Sequence, residues 1–392
     1  MAGPEVYTNN KKAFMEKREY QRCTQCVMDT TDSKISFDEH GVCDHCRNFE
    51  KRIKPYWKPK ENDFEGLEKL AQEIRKAGKG SDYDCILGLS GGADSSYLAY
   101  IAKEVMHLRP LVFVVDTGWN LNVAVENIEK IVKGLDLDMY TEVVNWKEMA
   151  DLQLSFFKAS ISPQDFPQDH AIFAGLYNYA TKHHIKYVLT GSNSATEFIR
   201  PPLEWLYMND LRMALDIHKK FGKVELKTFP LCSIWKYRIW YRYFLGMKRR
   251  FPLDYVVYDK AEAEELLHEK YGWTKYANKH YENVFTRFFE GYYLPHKFGY
   301  DTRKNVLSNE ILVGTMTRDE ALTILEQPPY DPEQAELDKA YVAKKLGITT
   351  EEFDEIINLP NKTPADYKNS MLLLKVSVAL CRMLGIENRN LR

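Results

Sequence analysis

The residues best suited to chemistry in this chain form a glycine-rich stretch, Ser90-Gly91-Gly92-Ala93-Asp94-Ser95-Ser96. The stretch lies between a strand-like apolar run at 83–89 and a helix-like pattern at 94–105. Adjacent glycines let the backbone turn tightly and approach a ligand closely, and amides at a helix N-terminus favour an anion. Three serine hydroxyls add donors, and the Asp94 carboxylate can hold Mg²⁺. We therefore predict a phosphate-binding loop, a purely structural Gly-Gly turn being the alternative.

The loop lacks a Walker lysine, and its Ser-Gly-Gly-x-Asp-Ser pattern resembles that of the PP-loop ATP pyrophosphatases, which include synthetases that cleave ATP to AMP and pyrophosphate. The resemblance implies ATP as co-substrate and Mg²⁺, with Asp94 and Glu197 as metal ligands. Lys236, which follows Pro230-Leu231, would neutralise the departing pyrophosphate. Taken alone, each of these acidic positions has an alternative interpretation, because an acid at the end of a strand often only caps the next helix. The predicted ATP contacts are Ser90, Gly91, Gly92, Asp94, Ser95, Ser96, Asp116, Gly191 and Asn193.

Four of the seven cysteines form two pairs, Cys23-x-x-Cys26 and Cys43-x-x-Cys46, with 16 residues between the pairs. Seven cysteines are too few for a disulfide scaffold of a chain of this length, and an odd number cannot all pair within one chain. Four thiolates in two hairpins can surround Zn²⁺ tetrahedrally and leave no open coordination position. We therefore predict a structural zinc site, four ordinary buried thiols being the alternative.

A basic, aromatic segment spans residues 218–250, where ten Lys or Arg residues stand against one acid, Glu225. Such a segment could bind RNA or the diphosphate and carboxylate of a sugar nucleotide. It could equally be an amphipathic helix whose rings are core and whose cations are solvated. We favour the second interpretation, with Lys236 as the exception.

The C-terminal part carries further motifs, Lys279-His280-Tyr281-Glu282, Phe285-Thr286-Arg287-Phe288, Lys297-Phe298-Gly299-Tyr300-Asp301-Thr302-Arg303 and Gly314-x-Met316-Thr317-Arg318. With the cysteine pairs and the loop, they resemble the N-acetyl sugar amidotransferases of bacterial surface-polysaccharide synthesis over about residues 20–330. The resemblance implies that ATP adenylates an acetamido group of a nucleotide-linked sugar and that ammonia displaces AMP, which gives an acetamidino group. Lys236, Asp94 and His280 are the predicted catalytic residues, His280 as a proton acceptor from ammonia.

The tail motifs also supply the predicted substrate contacts. Lys297 and Arg303 suit the diphosphate or carboxylate of the sugar nucleotide, and Lys279 and Glu282 would form a polar cluster with His280 near the reacting amide. A surface ion-pair patch is the alternative. The full predicted set is Lys279, Glu282, Lys297, Tyr300, Asp301 and Arg303.

The nitrogen source is expected to be a second protein. No glutaminase elbow of the Gly-x-Cys-x-Gly type occurs, and residue 2 is Ala rather than a nucleophilic cysteine. We therefore expect ammonia from a separate glutaminase, resembling the glutaminase and cyclase pair of the histidine pathway.

The main rival function is that of a PP-loop tRNA-modifying enzyme, such as a thiolase. A thiolase needs a reactive cysteine or an iron–sulfur cluster near ATP, and neither Cys85 nor Cys232 belongs to a pair. The formal charge of −2 also disfavours tRNA binding. A decayed loop that serves as a binding module is a weaker rival.

The elements that must position these residues alternate between strand and helix. Strands are predicted at 83–89, 111–116, 139–144 and 187–190, and helices at 64–77, 94–105, 123–135, 172–183, 203–221 and 234–247. This alternation indicates a parallel sheet with helices on both faces. We predict an α/β PP-loop fold of three parts: a zinc-ribbon module (1–60), an ATP pyrophosphatase domain (61–255) and a helical extension for substrate binding or oligomerisation (256–392).

Composition is that of an ordinary globular protein, with 44% hydrophobic and 28% charged residues. The apolar runs are too short to cross a bilayer, and the polar N-terminus lacks the apolar core of a signal peptide. We expect a cytoplasmic protein that inserts into no membrane and binds no nucleic acid. Whether it forms a homodimer is left open.

Overall fold

The computed structural model describes residues 18–55, 57, 60–206, 210–276 and 283–383. Its centre is a five-stranded parallel sheet in the order β3-β2-β1-β4-β5. The strands are β1 (Cys85–Gly88), β2 (Pro110–Asp116), β3 (Met139–Val143), β4 (Tyr187–Leu189) and β5 (Lys248–Arg250). All five carboxyl ends meet at one edge, the edge at which open α/β sheets bind ligands.

Fifteen α-helices are found among the described residues. The helices before β5 are α1 (Asp44–Asn48), α2 (Phe64–Ala77), α3 (Ala93–Tyr100), α4 (Asn122–Gly134), α5 (Trp146–Ala159), α6 (Phe166–Lys182), α7 (Ser194–Glu197) and α8 (Leu211–Phe221). Those after β5 are α9 (Lys260–Tyr271), α10 (Val284–Phe288), α11 (Arg303–Val313), α12 (Arg318–Glu326), α13 (Pro332–Leu346), α14 (Thr350–Ile357) and α15 (Met371–Met383). Wider π-helical turns continue three helices: α1 as Phe49–Ile53, α3 as Ile101–Val105 and α10 as Phe289–Phe298. A further π-helical segment spans Lys236–Phe244. Two short 3₁₀ turns span Pro252–Tyr255 and Pro364–Asp366.

Alternating side chains of the central strands enter two separate cores, as the pleat requires. Ile86 and Phe113 face one core, shared with α5, α6 and the C-terminal helices. Leu87 and Val112 face the other, shared with α2, α3, α4 and α9. Buried apolar residues on both faces explain why these strands are continuous apolar runs. The predicted α/β fold is confirmed.

The sequence prediction was wrong for some elements. Helix α5 was missed, and α6 begins at Phe166 rather than at residue 172, because Pro167 and the polar residues around it hide the first turns. Helix α8 begins only at Leu211, after Asp210 accepts a hydrogen bond from the Met213 amide and caps it.

Strand β5 was also missed, because its three residues are all cationic. In the part of the chain that the structure describes, it pairs with β4 alone, at the sheet edge. There the Lys248 ammonium donates to Glu73 at 2.6 Å and to the Tyr187 hydroxyl at 3.1 Å. An edge strand that is exposed to solvent does not need the apolar pattern that identified the other four.

The cysteine-rich module packs against the C-terminal helices. The Val27 amide donates to Ser308 Oγ at 3.2 Å, and Lys304 pairs with the buried Asp29 at 2.6 Å. The Arg318 guanidinium donates to the carbonyls of Cys23 and Cys26. Helices α11 and α12 therefore hold the module in place.

Among the described residues, no helix combines the length and the apolar character that crossing a bilayer requires.

Candidate active site

The glycine-rich loop joins β1 to α3 and has a conformation that only glycine adopts easily. Gly91 has a φ of +83°. A Cβ at this position would lie 2.5 Å from the carbonyl oxygen of Ala124, at the start of α4. Both the left-handed backbone and the close approach of α4 therefore require glycine here.

Three donors surround the Gly91 carbonyl and fix the orientation of its peptide. The Trp273 indole donates at 2.9 Å, the Tyr276 hydroxyl at 3.2 Å and the Asn127 amide at 3.5 Å. Because C=O and N–H point in opposite directions in a trans peptide, the next amide, that of Gly92, faces the other way. It donates to Ser90 Oγ at 3.3 Å, on the open side of the loop. The Gly92 amide is thus fixed beside the Ser90 hydroxyl, where an anion can replace that hydroxyl as its acceptor.

The serine hydroxyls and Asp94 complete the loop. Ser90 Oγ and Ser95 Oγ lie 3.2 Å apart, and Ser95 Oγ also accepts from the Ser90 amide. Asp94 accepts a short hydrogen bond from the Tyr258 hydroxyl. Burial, and then the Asp94 carboxylate, raise the pKa of Tyr258, so this hydroxyl stays a donor. Asp94 is thereby held at the start of α3, beside the loop.

The segment after β4 packs against the glycine-rich loop. A Cβ on Gly191 would lie 3.0 Å from backbone atoms of Asp94, so glycine lets the two chains approach. Asn193 caps α7, accepting from the Thr196 amide at 3.0 Å. Glu197 follows in the same short helix and reaches the cleft. In this segment the helix cap is therefore Asn193, which was predicted as an ATP contact, and not the acid Glu197.

A cleft of 420 Å³ lies between the loop, the ends of β2 and β4, and the N-termini of α6 and α10. Phe113, Val114 and Val115 supply an apolar side. Of the charged side chains on its described wall, six are carboxylates and one is a lysine, Lys260. The carboxylates are Asp94, Asp165, Asp169, Glu197, Glu264 and Glu290. This excess of negative charge means that a triphosphate can bind only with cations.

The far wall of the cleft is a buried network of acids and amides. Gln168 donates to Asp165 and, at 2.8 Å, to Thr286, while its carbonyl oxygen accepts from Asn283 at 2.9 Å. Burial, and then the nearby charges of Asp169 and Glu290, raise the pKa of Asp165. This wall can hold a cation or donate and accept hydrogen bonds with an uncharged polar substrate.

Six of the predicted nucleotide and metal residues line this cleft: Ser90, Gly92, Asp94, Ser95, Gly191 and Glu197. Gly91 contributes through its backbone. The Ser96 side chain is fully buried and without a partner among the described residues, inside α3. Asp116 ends β2 and accepts from the Gly118 amide at 2.8 Å.

Lys236 is not among the residues described on the cleft wall. Its ammonium donates to Asn178 Oδ1 at 2.8 Å, and the Tyr241 hydroxyl donates to the same atom at 2.7 Å. Its role toward pyrophosphate stays a prediction, and Lys260 is the cation that the structure places in the cleft.

The four predicted substrate residues of the tail that the structure describes bond within the fold. The buried Lys297 donates to the carbonyls of Ile357 and Leu359, at the end of α14, and burial lowers its pKa to about 8. Tyr300 stacks on Trp205. Arg303 pairs with Asp301 at 2.7 Å and donates to carbonyls at the end of α12. The structure therefore does not bring these four residues to the cleft. Lys279, His280 and Glu282 lie outside the described residues.

Sequence reasoning missed most of the far wall. Asp165 immediately precedes α6, and Gln168 and Asp169 lie in its first turns, which the prediction omitted. Thr286 lies in the motif at residues 285–288, which supported the family resemblance, but no role in the site was predicted for it. An acid-rich helix start such as Asp165-Phe-Pro-Gln-Asp169 was the available signal.

The four clustered cysteines meet in one place, as predicted. Their sulfur atoms all lie within 4.8 Å of one another, and three of the separations are 3.6 to 3.8 Å. A tetrahedron with Zn–S bonds of about 2.3 Å has edges of about 3.8 Å. Amides of Cys26 and Cys43 donate to Cys23 Sγ, which favours a thiolate. The donor set thus fits a metal ion such as zinc, and all four thiols are fully buried.

Comparison with known proteins gives one family match and several partial similarities. A family model for the C-terminal domain of WbpG-like LPS biosynthesis proteins matches residues 282–380. An uncharacterized protein of Methanocaldococcus jannaschii is 28% identical over 171 residues, which are 43% of this chain and 58% of that protein. The tRNA-specific 2-thiouridylase MnmA 2 of Fusobacterium nucleatum is 24% identical over 215 residues, which are 52% of this chain and 60% of that protein. The chain thus spans about three fifths of these two relatives.

Solved structures give weaker similarities. The NH3-dependent NAD synthetase of Campylobacter jejuni is 17% identical with a TM-score of 0.28, over 72% of this chain and 95% of that one. The tRNA thiolase NcsA of Methanococcus maripaludis is 14% identical with a TM-score of 0.30, over 86% of this chain and 89% of that one. The family match is the more informative finding, because it covers a defined region. Residues 282–380 are therefore similar to the C-terminal domain of WbpG-like LPS biosynthesis proteins, and they follow an α/β domain with a PP-loop.

Proposed function

We propose that this chain is an ATP-dependent amidotransferase that converts an acetamido group of a nucleotide-linked N-acetyl sugar into an acetamidino group. One observation supports this most strongly: the region that matches the LPS biosynthesis family forms part of the cleft that holds the phosphate loop. Asn283, Thr286 and Glu290 lie in that region and on the cleft wall opposite Ser90 and Asp94. The glycine-rich loop and a region similar to LPS biosynthesis proteins thus line one cavity.

In this proposal the loop binds the phosphates of ATP. The Gly92 amide and the Ser90 and Ser95 hydroxyls would donate to them, and the bonds to the Gly91 carbonyl hold the Gly92 amide in place without rearrangement. Asp94 and Glu197 would hold Mg²⁺, which neutralises phosphate charge when bound. Lys260 adds a cation near the same end of the cleft.

The reaction has two steps. The carbonyl oxygen of the acetamido group attacks the α-phosphorus of ATP, the bond to the β-phosphate breaks, and pyrophosphate leaves. Ammonia then attacks the activated carbon, and AMP leaves with the former amide oxygen. The incoming nitrogen gives up a proton as the acetamidino group forms. Adenylation is needed because an amide oxygen is by itself a poor leaving group.

The far wall suits the second step. Asp165, Asp169 and Glu290 offer oxygen atoms to which ammonia can donate hydrogen bonds at that end of the cleft. Burial raises the pKa of Asp165, and a carboxylate with a raised pKa is a stronger base than an ordinary one. The ammonia itself would come from a separate glutaminase, and the four-cysteine site would hold structural Zn²⁺.

A tRNA-modifying function is the second candidate, because one partial relative is a tRNA thiouridylase. The arrangement of cysteines speaks against it. Cys85 is buried in β1, and no cysteine lines the cleft within the described part of the chain. A thiolase needs a sulfur carrier beside the nucleotide.

Pyrophosphate release separates the two candidates. The purified chain, with ATP, Mg²⁺ and ammonium, is mixed either with a nucleotide-linked diacetamido sugar or with bulk tRNA. The proposal predicts release that depends on the sugar and on ammonium. Release that depends on tRNA, or on neither acceptor, would contradict it. Glutamine in place of ammonium should give no turnover until a glutaminase is added.

A further inference from the structure

A second cavity, of 830 Å³, opens beside the first at the same edge of the sheet. Its walls are the chain that leaves the cysteine module, the start of α2 and the residues that follow β5. Three arginines, Arg52, Arg249 and Arg250, and three aromatic residues, Trp57, Phe251 and Tyr255, lie on these walls. None of the individually predicted site residues lies here, but Arg249 and Arg250 belong to the basic, aromatic segment of residues 218–250.

Arg249 stands between the two cavities. Its guanidinium donates to Thr190 Oγ1 at 3.1 Å and to Ser192 Oγ at 3.3 Å, and it lies 5.1 Å from the centre of the Phe251 ring. Thr190 and Ser192 also line the first cleft. These two hydroxyl partners are neutral, so they leave the positive charge of Arg249 in place for an anion.

Three carboxylates, Glu61, Asp63 and Asp254, also lie on these walls, and backbone amides donate to two of them. Asp63 accepts from the Gly66 amide at 2.8 Å, and Asp254 accepts from the Ser194 amide at 2.6 Å. Carboxylates held in this way can still accept hydrogen bonds from sugar hydroxyls, as an acidic residue does toward ribose in dinucleotide-binding folds.

Arginines, aromatic rings and carboxylates match the three parts of a nucleotide. Arginine forks bind phosphates, flat rings stack on a base, and carboxylates accept from ribose hydroxyls. A polynucleotide is a poorer fit, because the described walls carry three arginines and three carboxylates, and the carboxylates would repel every phosphate that no arginine contacts. The volume is also within the range of small-molecule sites.

We propose that this second cavity binds the nucleoside diphosphate of the sugar substrate. The inference rests on the proposed function, which requires two nucleotides at one sheet edge. The segment from Thr190 to Glu197 separates the cavities, so a sugar attached to the diphosphate would extend across Thr190 and Ser192 toward the phosphate loop. Arg249 would hold the diphosphate at that boundary.

Calorimetric titration of uridine diphosphate into the full chain tests this. A non-hydrolysable ATP analogue is present at saturation, so that the first cleft is filled. The wild type should bind, and the double variant Arg52→Gln and Arg249→Gln should bind at least tenfold more weakly. Lys51→Gln, which removes a neighbouring charge outside the cavity, is the matched control and should bind as the wild type does. Phe251→Leu should weaken the binding of uridine diphosphate more than the binding of inorganic pyrophosphate.

Several results would overturn the proposal. These are no binding in the presence of the analogue, equal binding of pyrophosphate and uridine diphosphate, or binding that the double variant keeps. Loss of tRNA binding in the same variant, without loss of uridine diphosphate binding, would assign the cavity to RNA. If uridine diphosphate binds as predicted but no acetamidino sugar forms, the result contradicts the proposed reaction and still supports the proposed nucleotide site.

Discussion

Replacing Gly91 by alanine should disable the phosphate loop, and the chain offers a matched control. Gly80, at an exposed turn, has a φ of +85°, against +83° for Gly91, but an added Cβ there meets nothing within 4 Å. A left-handed alanine costs about 1–2 kcal/mol. Gly80→Ala should therefore lower the free energy of unfolding by that amount alone.

Gly91→Ala should cost more. Its Cβ would lie 2.5 Å from the Ala124 carbonyl oxygen, about 0.9 Å short of ordinary contact. Either α4 shifts or the Gly91 carbonyl leaves its three donors, and each lost hydrogen bond costs about 0.5–1.5 kcal/mol. If all three hydrogen bonds are lost, the total with the left-handed strain is about 2.5–6.5 kcal/mol. Because the Gly92 amide turns with the same peptide, ATP affinity should fall at least about tenfold, an order-of-magnitude figure that corresponds to about 1.4 kcal/mol.

Urea denaturation gives the free energy of unfolding of both variants, and calorimetric titration gives their ATP affinities. The control variant should bind ATP as the wild type does. Should Gly91→Ala bind ATP as tightly as Gly80→Ala, or unfold with the same free energy, the reasoning about the loop would be refuted.

Three further predictions concern other parts of the structure. Lys260→Met should slow ATP-dependent pyrophosphate release at least about tenfold, and Lys236→Met should slow it less. The reason is that, of these two lysines, Lys260 is the one on the described cleft wall. Equal effects of the two variants in steady-state assays would contradict this placement. Hydrogen bonds from Lys248 and Tyr187 lower the pKa of Glu73 to about 2 from 4.5, so its stabilisation is present above pH 4.5 and is lost as the pH falls toward 2. The difference in unfolding free energy between Glu73→Gln and the wild type should therefore shrink over that range, and a constant difference would exclude the effect. Cys43→Ser should abolish binding of one zinc ion per chain, measured by elemental analysis, and lower the melting temperature; an unchanged zinc content would contradict the four-cysteine site.

The parts of the fold that the sequence predicted are those with strong local signals. Helix α2 was predicted with its observed bounds, 64–77, from its amphipathic pattern, and the structure adds that Asp63 caps it. Strand β2 is a run of apolar residues that both cores bury. The phosphate loop and the cysteine pairs could be read from a few neighbouring residues, since glycine and cysteine carry their chemistry at short range.

The rest depends on contacts between distant residues. Nothing near Gly91 in the chain shows that Trp273 and Tyr276 will hold its carbonyl. The far wall joins Asp165 to Thr286, more than a hundred positions away. Lys297 and Arg303 looked like anion ligands, yet the fold uses their donors on the carbonyls that end α14 and α12. A charged residue type alone does not distinguish a helix cap from a substrate contact.

The central claim is that an amide oxygen attacks the α-phosphorus of ATP at this loop. An acetamido sugar nucleotide labelled with ¹⁸O in its acetamido carbonyl tests this directly, with ATP, Mg²⁺ and ammonium, and with mass spectrometry of the nucleotide product. The account predicts AMP that carries the label, in equal amount to the acetamidino sugar. Unlabelled AMP, or ADP as the nucleotide product, would contradict it.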